Sequence, residues 1–454
     1  MIKQLITNPS SVTFLPKIGI HARLIVTSVL TSTLSFSLTF ILTLASILLS
    51  PAAHGQTLSF AGDGNQGESG RWMQSRVEQF SKETGIPVQY VARPNSTTDT
   101  LMLWQQDWSA QTADIDVYLI DVIWPAIAAP HAADLKQYYT PEELKEFFPR
   151  IIDNNTVNGK LVAIPFFTDA GLLYYRTDLL KKYGFNNPPN TWNELQQMAQ
   201  TIQDGERKAG VADFWGFLWQ GAAFEGLTCN GLEWLASSGA GTIVEPDGRV
   251  SINNPQTKSV LAMVKSWVGG ITPTGVLSYQ EEECRNAFQQ GKAAFQRNWP
   301  YVYALANADQ SAVKGRVDAT YLPEGDGPNV SHAACLGGWQ LMLSAYSKHK
   351  DLAAKLVKYM VSFDTQKDHA LKLGRLPTRP ALYKDQDVLA AQPWFSRLLP
   401  VFENAVARPS TVTGVSYNKV STDFFQTTNE ILSGQVSVDD GVKAMESKIK
   451  RDLH

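Results

Sequence analysis

The sequence lacks several features that would place it in a familiar functional class. It has no run of lysine or arginine that could form a nucleic-acid-binding surface, and it has no acidic tail. Its formal net charge is only -3 over 454 residues, so the charge gives no indication of a charged partner. The glycine-rich segment 62–70 contains no lysine, unlike a phosphate-binding loop. We therefore expect no nucleic acid partner and no phosphate-recognition loop.

Cysteine is scarce, with Cys229, Cys284 and Cys335 as the three occurrences. Their spacing fits no zinc pattern, and we expect neither a metal nor a cofactor. In an oxidising compartment two of the three can pair. Cys229 and Cys284 lie in polar, helix-like segments and are the expected disulfide, whereas Cys335 lies in an apolar stretch and is expected to be a buried thiol. Three unpaired buried cysteines are the alternative.

Long apolar runs are absent after the first 50 residues. The uncharged run 24–50 follows a basic leader and is succeeded by small residues at Ala53 and Gly55, as at a cleavage site. We interpret residues 1–56 as a signal peptide, with an uncleaved membrane anchor as the alternative. No later window could span a bilayer, so we expect the rest of the chain in the periplasm or elsewhere outside the cytoplasm.

Aromatic residues, in contrast, are plentiful. The chain has 12 Trp and 15 Tyr, while charged residues make up only 18%. This balance suits a surface that stacks on a flat, uncharged partner. The length remaining after the leader, about 400 residues, favours two domains rather than one core.

Short apolar segments alternate with amphipathic ones in the first part of the chain. Strands are expected at 58–61, 88–92 and 116–120, with a helix from about Arg71 to Thr84 between the first two. This strand–helix–strand order is typical of an open parallel α/β sheet. Further expected elements are strands at 172–175, 293–296 and 338–344, a helix at 351–363, and helix starts at Thr140 and Thr191.

Polar and aromatic side chains follow these expected strands. Glu68 comes after the first strand, Arg93 and Asn95 after the second, and Asp121 after the third; Trp299 follows a strand of the second region. Ligands of open α/β sheets bind outside the carboxyl ends of the strands, so we expect these side chains near one another. Each has a structural alternative, such as a helix-terminal charge for Glu68 or a core aromatic for Trp299.

This mixture of groups suits a carbohydrate. A pyranose has an apolar C–H face that an indole or phenol ring can cover. Its rim of hydroxyls can pair with carboxylates, amides and guanidinium groups, and bonds to charged partners are the stronger ones. The sequence therefore indicates a neutral, polyhydroxylated ligand.

Seven segments together carry a family resemblance. They are 118–125 (YLIDVIWP), 164–176 (IPFFTDAGLLYYR), 224–227 (FEGL), 291–295 (GKAAF), 298–300 (NWP), 336–339 (LGGW) and 408–409 (RP). Their order and spacing resemble extracellular solute-binding proteins of carbohydrate ABC importers, from about Thr57 to the C-terminus. The chain is similar to the trehalose/maltose-binding branch and to cyanobacterial glucosylglycerol-binding proteins.

The resemblance implies an α/β, two-lobed periplasmic-binding-protein fold with a hinge and an interlobe ligand cleft. It places the crossings between lobes near Pro165, Gly338 and Trp394. Lobe 1 would then comprise residues 57–165 with 338–394, and lobe 2 residues 166–337 with 395–454. Its implied ligand contacts are Glu68, Asp121, Phe167, Asp169, Trp299, Gly338, Trp339, Arg408 and Glu225.

The implied function is capture of a neutral disaccharide or glycoside, of the trehalose, maltose, sucrose or glucosylglycerol type, by hinge closure. The expected partners are this ligand and the membrane permease subunits of the importer, and the protein is expected to be a monomer and not an enzyme. Two alternatives remain at this point: a secreted glycoside hydrolase using Asp121 and Asp169 as paired carboxylates, and a membrane-anchored sugar sensor.

Overall fold

The computed structural model describes residues 56–64, 67–398, 401 and 405–454. Residues 1–55, which hold nearly all of the expected signal peptide, are outside this range. None of the helices in the described part of the chain combines the length and apolar character that a membrane crossing requires.

Thirteen strands are found in the described residues. They are β1 Leu58–Gly62, β2 Val88–Ala92, β3 Val117–Asp121, β4 Thr156–Val157, β5 Lys160–Leu161, β6 Ala163–Ala170, β7 Leu172–Arg176, β8 Trp215–Leu218, β9 Ala293–Asn298, β10 Val317–Thr320, β11 Ala334–Leu343, β12 Leu376–Pro377 and β13 Ala405–Val406. The strands expected from the sequence are all present, with ends shifted by a few residues.

The α-helices of the described residues are numbered in chain order. They are α1 Glu68–Thr84, α2 Thr97–Ala110, α3 Pro125–Ala128, α4 Pro141–Leu144, α5 Pro149–Asn154, α6 Thr177–Lys182, α7 Trp192–Lys208, α8 Glu225–Ser237, α9 Pro255–Trp267, α10 Glu281–Gln289, α11 Val302–Ala306, α12 Lys350–Met360, α13 Phe363–Leu373, α14 Gln386–Ala391, α15 Ser410–Thr413, α16 Tyr417–Leu432 and α17 Val438–Asp452. Short 3-10 turns connect several of them.

The first lobe is the part of the chain that packs around one hydrophobic cluster, drawn from residues 58–167 and 339–361 together with Tyr417. Its sheet has the order β12-β6-β11-β3-β1-β2, with β13 beside β11. Strands β2, β1 and β3 run parallel to one another, and β13 runs parallel to β11, whereas β11 is antiparallel to both β3 and β6. The expected parallel sheet is therefore a mixed sheet, because two of its strands belong to crossings between lobes.

Helix α1 shows how the sequence sets this packing. Trp72, Met73, Val77 and Phe80 recur at helical spacing and are buried, while the opposite face is polar. The helix starts at Glu68, three residues before the expected Arg71, and it ends in a left-handed Gly85. Its early start brings the Glu68 carboxylate to the helix N-terminus, where the helix dipole favours a negative charge.

The second lobe packs around a separate cluster, drawn from residues 170–335 and 370–449. Its sheet has the order β10-β7-β9-β8, with β8 parallel to β9 and the other pairs antiparallel. The chain passes between the clusters at the ends of β6 and β11 and through α13. Trp394, near which the third crossing is expected, packs in the second cluster against Tyr303.

The cysteines differ from the expectation. All three are free, buried thiols, so the expected Cys229–Cys284 disulfide is not formed. The Cys284 thiol donates a hydrogen bond to the Trp219 carbonyl oxygen at 2.9 Å, and this occupies it inside the second-lobe core. Cys229 and Cys335 are likewise buried and free. The error arose because a shared polar sequence context does not bring two thiols together; that depends on how the second-lobe core packs.

Gly338 is the position where the crossing strand β11 demands a glycine. Its φ of +133° is one that side chains rarely adopt, and an added Cβ would lie 2.7 Å from the Phe167 carbonyl oxygen and 2.9 Å from the Thr168 Cα. The register of β11 against β6 shifts just after it, between Trp339 and Gln340. The absent side chain therefore allows the two crossing strands to approach each other at the irregularity.

Replacing Gly338 by alanine should lower the free energy of unfolding by more than about 2 kcal/mol, because backbone strain and a backbone clash add together. Gly85→Ala is the matched control: its φ is also positive, at +72°, but no atom lies within 4 Å of the added Cβ. It should cost about 1 kcal/mol. Urea unfolding of both variants measures the difference, and equal losses would contradict the role assigned to Gly338.

Candidate functional site

A cavity of about 710 Å³ lies between the two lobes. The carboxyl ends of β1, β2 and β3 supply one wall, and second-lobe residues of α8, α10 and the segment after β9 supply the other. Its charged lining residues are Asp63, Glu68, Arg71, Arg93, Asp121, Asp169, Glu225, Glu281, Glu282, Glu283, Arg285, Arg375 and Arg408. A cavity of this size is ordinary for a small-molecule site.

The first-lobe wall is held by a buried ion pair. Arg93 Nη2 lies 2.6 Å from Asp63 Oδ1, and its Nε donates to the same oxygen at 3.0 Å. Ser69 Oγ donates to the other Asp63 oxygen at 2.6 Å. The Arg93 guanidinium also lies 3.9 Å from the centre of the Trp339 ring. Asp63 and Arg93, which follow β1 and β2, thus position the indole ring of Trp339.

Arg375, which follows α13, connects this wall to the crossing strand β6. Its Nη2 lies 4.0 Å from Asp63 Oδ2, and its Nη1 lies 3.5 Å from Asp169 Oδ2. Burial would raise the pKa of Asp63, but the guanidinium groups of Arg93 and Arg375 outweigh burial and hold that pKa below its usual value. Asp63 is therefore a carboxylate at neutral pH.

Asp169 behaves in the opposite way. Burial raises its pKa to about 7, because the attraction of Arg375 is opposed by the negative charges of Asp63 and Asp121. Its Oδ1 is buried and has no hydrogen-bond partner among the described residues. Near neutral pH this carboxyl group can therefore either accept a hydrogen bond from a ligand or, when protonated, donate one.

Arg408 joins the ends of two elements from different lobes. Its Nη2 lies 2.8 Å from Asp121 Oδ1 at the end of β3, and its Nη1 lies 3.0 Å from Glu225 Oε1 at the start of α8. Both carboxylates and the guanidinium are buried. The two carboxylates compensate the positive charge of this buried guanidinium. Arg408 therefore offers hydrogen-bond donors without an unpaired positive charge.

Glu225 has further partners on the second-lobe side of the cavity. Besides Arg408, it accepts hydrogen bonds from Tyr417 Oη and, at 2.6 Å, from Ser421 Oγ. Burial raises its pKa, and Arg408 and these hydroxyls oppose that rise. Its backbone N–H donates to Thr98 Oγ1 of α2 at 3.1 Å, which is a direct contact between the lobes.

Trp299 provides the aromatic surface on the second-lobe side. Its ring lies 4.0 Å from the Arg297 guanidinium, and its Nε1 donates to Glu281 Oε1 at 3.3 Å. An added Cβ at Gly337 would lie 3.0 Å from this ring, so the glycine allows the indole to reach the crossing strand. The ring is half-buried and lines the cavity.

Eight of the nine residues expected from the sequence line this cavity. They are Glu68, Asp121, Asp169, Glu225, Trp299, Gly338, Trp339 and Arg408. Phe167 is the exception, because its side chain is buried in the first-lobe core, where its ring packs 4.6 Å from the Arg375 guanidinium. The ligand contact at Phe167 stays a prediction, and in the structure its ring supports Arg375.

Sequence reasoning missed Asp63, Arg375 and Glu281. Asp63 follows β1 directly and could have been found by the same strand-end rule that selected Asp121. Arg375 reaches the cavity from a connection between α13 and β12, and Glu281 from the start of α10. Neither position carries a local signal, since only the folding of both lobes brings them to the cavity.

Replacing Asp169 by asparagine should change the pH dependence of stability. The pKa of Asp169 is about 7 in the folded state and 3.8 in the unfolded state, so the folded state keeps the proton to a higher pH. Stability therefore falls as the pH rises from about 4 to about 7. An asparagine side chain cannot ionise, and Asp169→Asn should gain on the order of 2 kcal/mol relative to wild type between pH 5 and pH 8. Urea unfolding at both pH values measures this.

Asp63→Asn is the matched control for that experiment. The Asp63 carboxylate stabilises Arg93 and Arg375, so this variant should be less stable than wild type at both pH 5 and pH 8. An unchanged pH dependence in Asp169→Asn would contradict the raised pKa of Asp169.

Comparison with known proteins agrees with this geometry. The family model described as bacterial extracellular solute-binding protein matches residues 63–367. The chain is 46% identical over 399 residues to a probable ABC transporter-binding protein of Deinococcus radiodurans, a match that covers 88% of this chain and 94% of that protein. It is 22% identical over 390 residues to the maltodextrin-binding protein MdxE of Bacillus subtilis, covering 84% and 87% of the two chains.

Solved structures give the same result. The structure of maltose-bound T. maritima MalE3 matches with a TM-score of 0.81 and 39% sequence identity, and covers 87% of this chain and 99% of that chain. The two lobes with a cavity between them are thus the two-lobed fold of periplasmic sugar-binding proteins. The chain belongs to the bacterial extracellular solute-binding proteins, as the solute-binding component of an ABC transporter that works in the periplasm or elsewhere outside the cytoplasm.

Proposed function

We propose that this protein captures a neutral disaccharide or glycoside, of the maltose, trehalose, sucrose or glucosylglycerol type, and delivers it to the membrane permease of its transporter as a monomer. The observation that carries the proposal is the composition of the cavity. An indole surface at Trp299 lies among carboxylate and guanidinium groups whose charges are already paired with one another.

The pairing of charges favours a neutral ligand over a phosphorylated one. Arg93, Arg285, Arg375 and Arg408 each have a carboxylate partner. A phosphate group would have to compete with these carboxylates for the guanidinium groups, and it would lie beside several more negative charges. Hydroxyl groups can join such networks without displacing a charge.

Buried polar atoms without protein partners support a ligand rich in hydroxyls. Asp169 Oδ1, Arg375 Nε and Arg408 Nε are buried and make no hydrogen bond within the described residues. All three side chains line the cavity. A ligand that supplied hydroxyl partners would remove the cost of leaving these groups unpaired, which makes the hydroxyl pattern a basis for selectivity.

The relative with bound ligand supports the same class. MalE3 of T. maritima, 39% identical to this chain, was solved with maltose bound. A glycoside hydrolase is the alternative, and its two carboxyl groups would be Asp121, which is ion-paired with Arg408, and Asp169, which lies next to Arg375. The matched family consists of binding proteins, and incubation with maltose should yield no glucose.

Closure of the lobes is the proposed mechanism of capture. Arg408 and the Glu225–Thr98 contact join groups of both lobes at the base of the cavity, and Trp299 faces the first-lobe carboxylates across it. A ligand that bonds both sets of residues binds the closed arrangement better than an open one. It therefore shifts the equilibrium towards closure by that difference in affinity.

Neutral disaccharides should raise the melting temperature and reduce the radius of gyration, whereas glucose 6-phosphate should do neither. A ligand at a hundredfold excess over its Kd stabilises the folded state by about 2.7 kcal/mol. Thermal shift with maltose, trehalose, sucrose and glucosylglycerol identifies the ligand, and small-angle scattering with and without it measures closure. Tight binding of glucose 6-phosphate with no response to neutral sugars would overturn the proposed ligand class. Binding of a neutral sugar without a decrease in the radius of gyration would overturn the proposed closure of the lobes.

Trp299→Ala should weaken binding of the best ligand from that screen ten- to a hundredfold, or on the order of 1–3 kcal/mol, because the stacking surface is lost. Trp215→Ala is the matched control. That indole is also half-buried and also packs on a guanidinium, with Arg207 4.4 Å from its ring centre, but it does not line the cavity. Its affinity should equal that of wild type in calorimetric titration. Equal affinities of both variants would place the site elsewhere.

A further inference from the structure

We propose that Arg297 is a positioning residue for ligand binding, which holds the Trp299 indole in the plane on which the ligand stacks without touching the ligand itself. The inference rests on the proposed function, since it concerns the same cavity. Arg297 is the last residue but one of β9, and Trp299 follows directly after that strand. Trp299 lines the cavity, whereas Arg297 is 1% exposed and is not among the described residues that do.

The Trp299 ring is held on three sides. The Arg297 guanidinium lies over one face of the ring, with its central carbon 4.0 Å from the ring centre. On one edge the indole Nε1 donates a hydrogen bond to Glu281 Oε1 at 3.3 Å. On the benzo edge, an added Cβ at Gly337 would lie 3.0 Å from Cζ3 of the ring. Because an indole ring has two faces, the face opposite Arg297 is the one available to a ligand in the cavity.

Arg297 is itself fixed by a buried carboxylate of α8. Its Nε donates a hydrogen bond to Glu233 Oε2 at 2.8 Å, and its Nη2 donates to Glu233 Oε1 at 2.5 Å. Both side chains are 1% exposed. Two parallel hydrogen bonds between a guanidinium and a carboxylate fix the plane of the guanidinium as well as its position. Glu233 therefore sets the orientation of the group on which the Trp299 ring rests.

Further hydrogen bonds fix both partners of this ion pair. Arg297 Nη1 donates to Gln220 Oε1 at 3.1 Å, and Gln220 Nε2 donates back to the Arg297 carbonyl oxygen at 3.0 Å. Glu233 Oε1 also accepts a hydrogen bond from the Cys335 backbone N–H at 3.0 Å. Gly171 leaves the space for the pair, because an added Cβ there would collide with Glu233 Oε1. The guanidinium is therefore held in place from several directions beneath the ring.

Stability alone does not explain a buried ion pair at this position. Burying two charges costs desolvation energy that their attraction often only balances, and well-packed apolar side chains of similar volume are frequently as stabilising. The pair supplies a fixed plane, which apolar side chains would not. It also places a cation on an indole face, and this contact becomes stronger when water is excluded. The Glu233–Arg297 pair thus serves to fix Trp299 for the ligand.

The test is a double-mutant cycle on the full protein. Affinity is measured by calorimetric titration with whichever of maltose, trehalose, sucrose and glucosylglycerol binds wild type most tightly. Arg297→Lys keeps the positive charge but loses the planar fork, and it should weaken binding about three- to tenfold. In the Trp299→Ala background the same change should weaken binding less than about twofold, because the ring that Arg297 positions is gone. A loss of equal size in both backgrounds would overturn the proposal.

Arg176→Lys is the matched control. Arg176 is also buried in the second lobe and also makes two hydrogen bonds to one carboxylate, from Nε to Asp178 Oδ1 at 2.7 Å and from Nη2 to Asp178 Oδ2 at 2.6 Å. It is not among the residues that line the cavity in the described part of the chain. This variant should bind with wild-type affinity. A loss as large as that of Arg297→Lys would contradict a specific role for Arg297.

Fluorine NMR of unliganded protein labelled with 5-fluorotryptophan reads the ring directly. The Trp299 resonance is assigned from its absence in Trp299→Phe. Gln220→Met keeps the ion pair but removes both hydrogen bonds between Gln220 and Arg297, and it should shift or broaden this resonance. The measurement needs only Gln220→Met to fold, and an unchanged Trp299 resonance in that variant would count against the proposal.

The cycle also separates this inference from the proposed function. If Trp299→Ala alone binds as tightly as wild type, the stacking site is wrong and the role of Arg297 falls with it. If Trp299→Ala weakens binding and Arg297→Lys does not, the ligand site stands and only the positioning role of Arg297 is overturned.

Discussion

The antiparallel pairing of β6 with β11 joins the two lobes. Each strand has one end in one hydrophobic cluster and its other end in the second cluster, so their backbone hydrogen bonds run through the junction of the lobes. Gly338 allows the close approach of the strands at the point where their register shifts. Asp169, Gly337 and Trp339 occupy this junction, and the cavity is therefore built onto the crossing itself.

The buried charges of the cavity are paired with one another. Charged groups that lose water must be paired, and here carboxylates and guanidinium groups from distant segments neutralise one another. Asp63 gains enough from its arginines to stay ionised. Burial raises the pKa of Asp169 to about 7, because the attraction of Arg375 is opposed by the negative charges of Asp63 and Asp121. The same pairing leaves a few donor and acceptor atoms for an uncharged, hydroxyl-rich ligand.

The strand-end rule accounts for what could be predicted about the site. It selected Glu68, Asp121 and Trp299 because each lies after a strand whose apolar pattern is clear in the sequence. It could not select Arg375, which comes from a connection far along the chain. The disulfide prediction failed for a related reason: local polarity describes the neighbourhood of Cys229 and Cys284 along the chain, but the partner of each thiol depends on how the second-lobe core packs around it.

Apolar periodicity, capping residues and ordered motifs are local properties of the chain, and they were enough to predict the α/β class, the family and several of the strands and helices. Which charges meet depends on the folded lobes. Whether Arg408 pairs with Asp121 and Glu225, whether Phe167 lines the cavity or supports Arg375, and where the chain crosses between lobes all depend on packing of residues far apart in sequence. Coulombic and desolvation energies change when charged groups move by a few ångströms, and distances between residues far apart in sequence are set only when the lobes have folded.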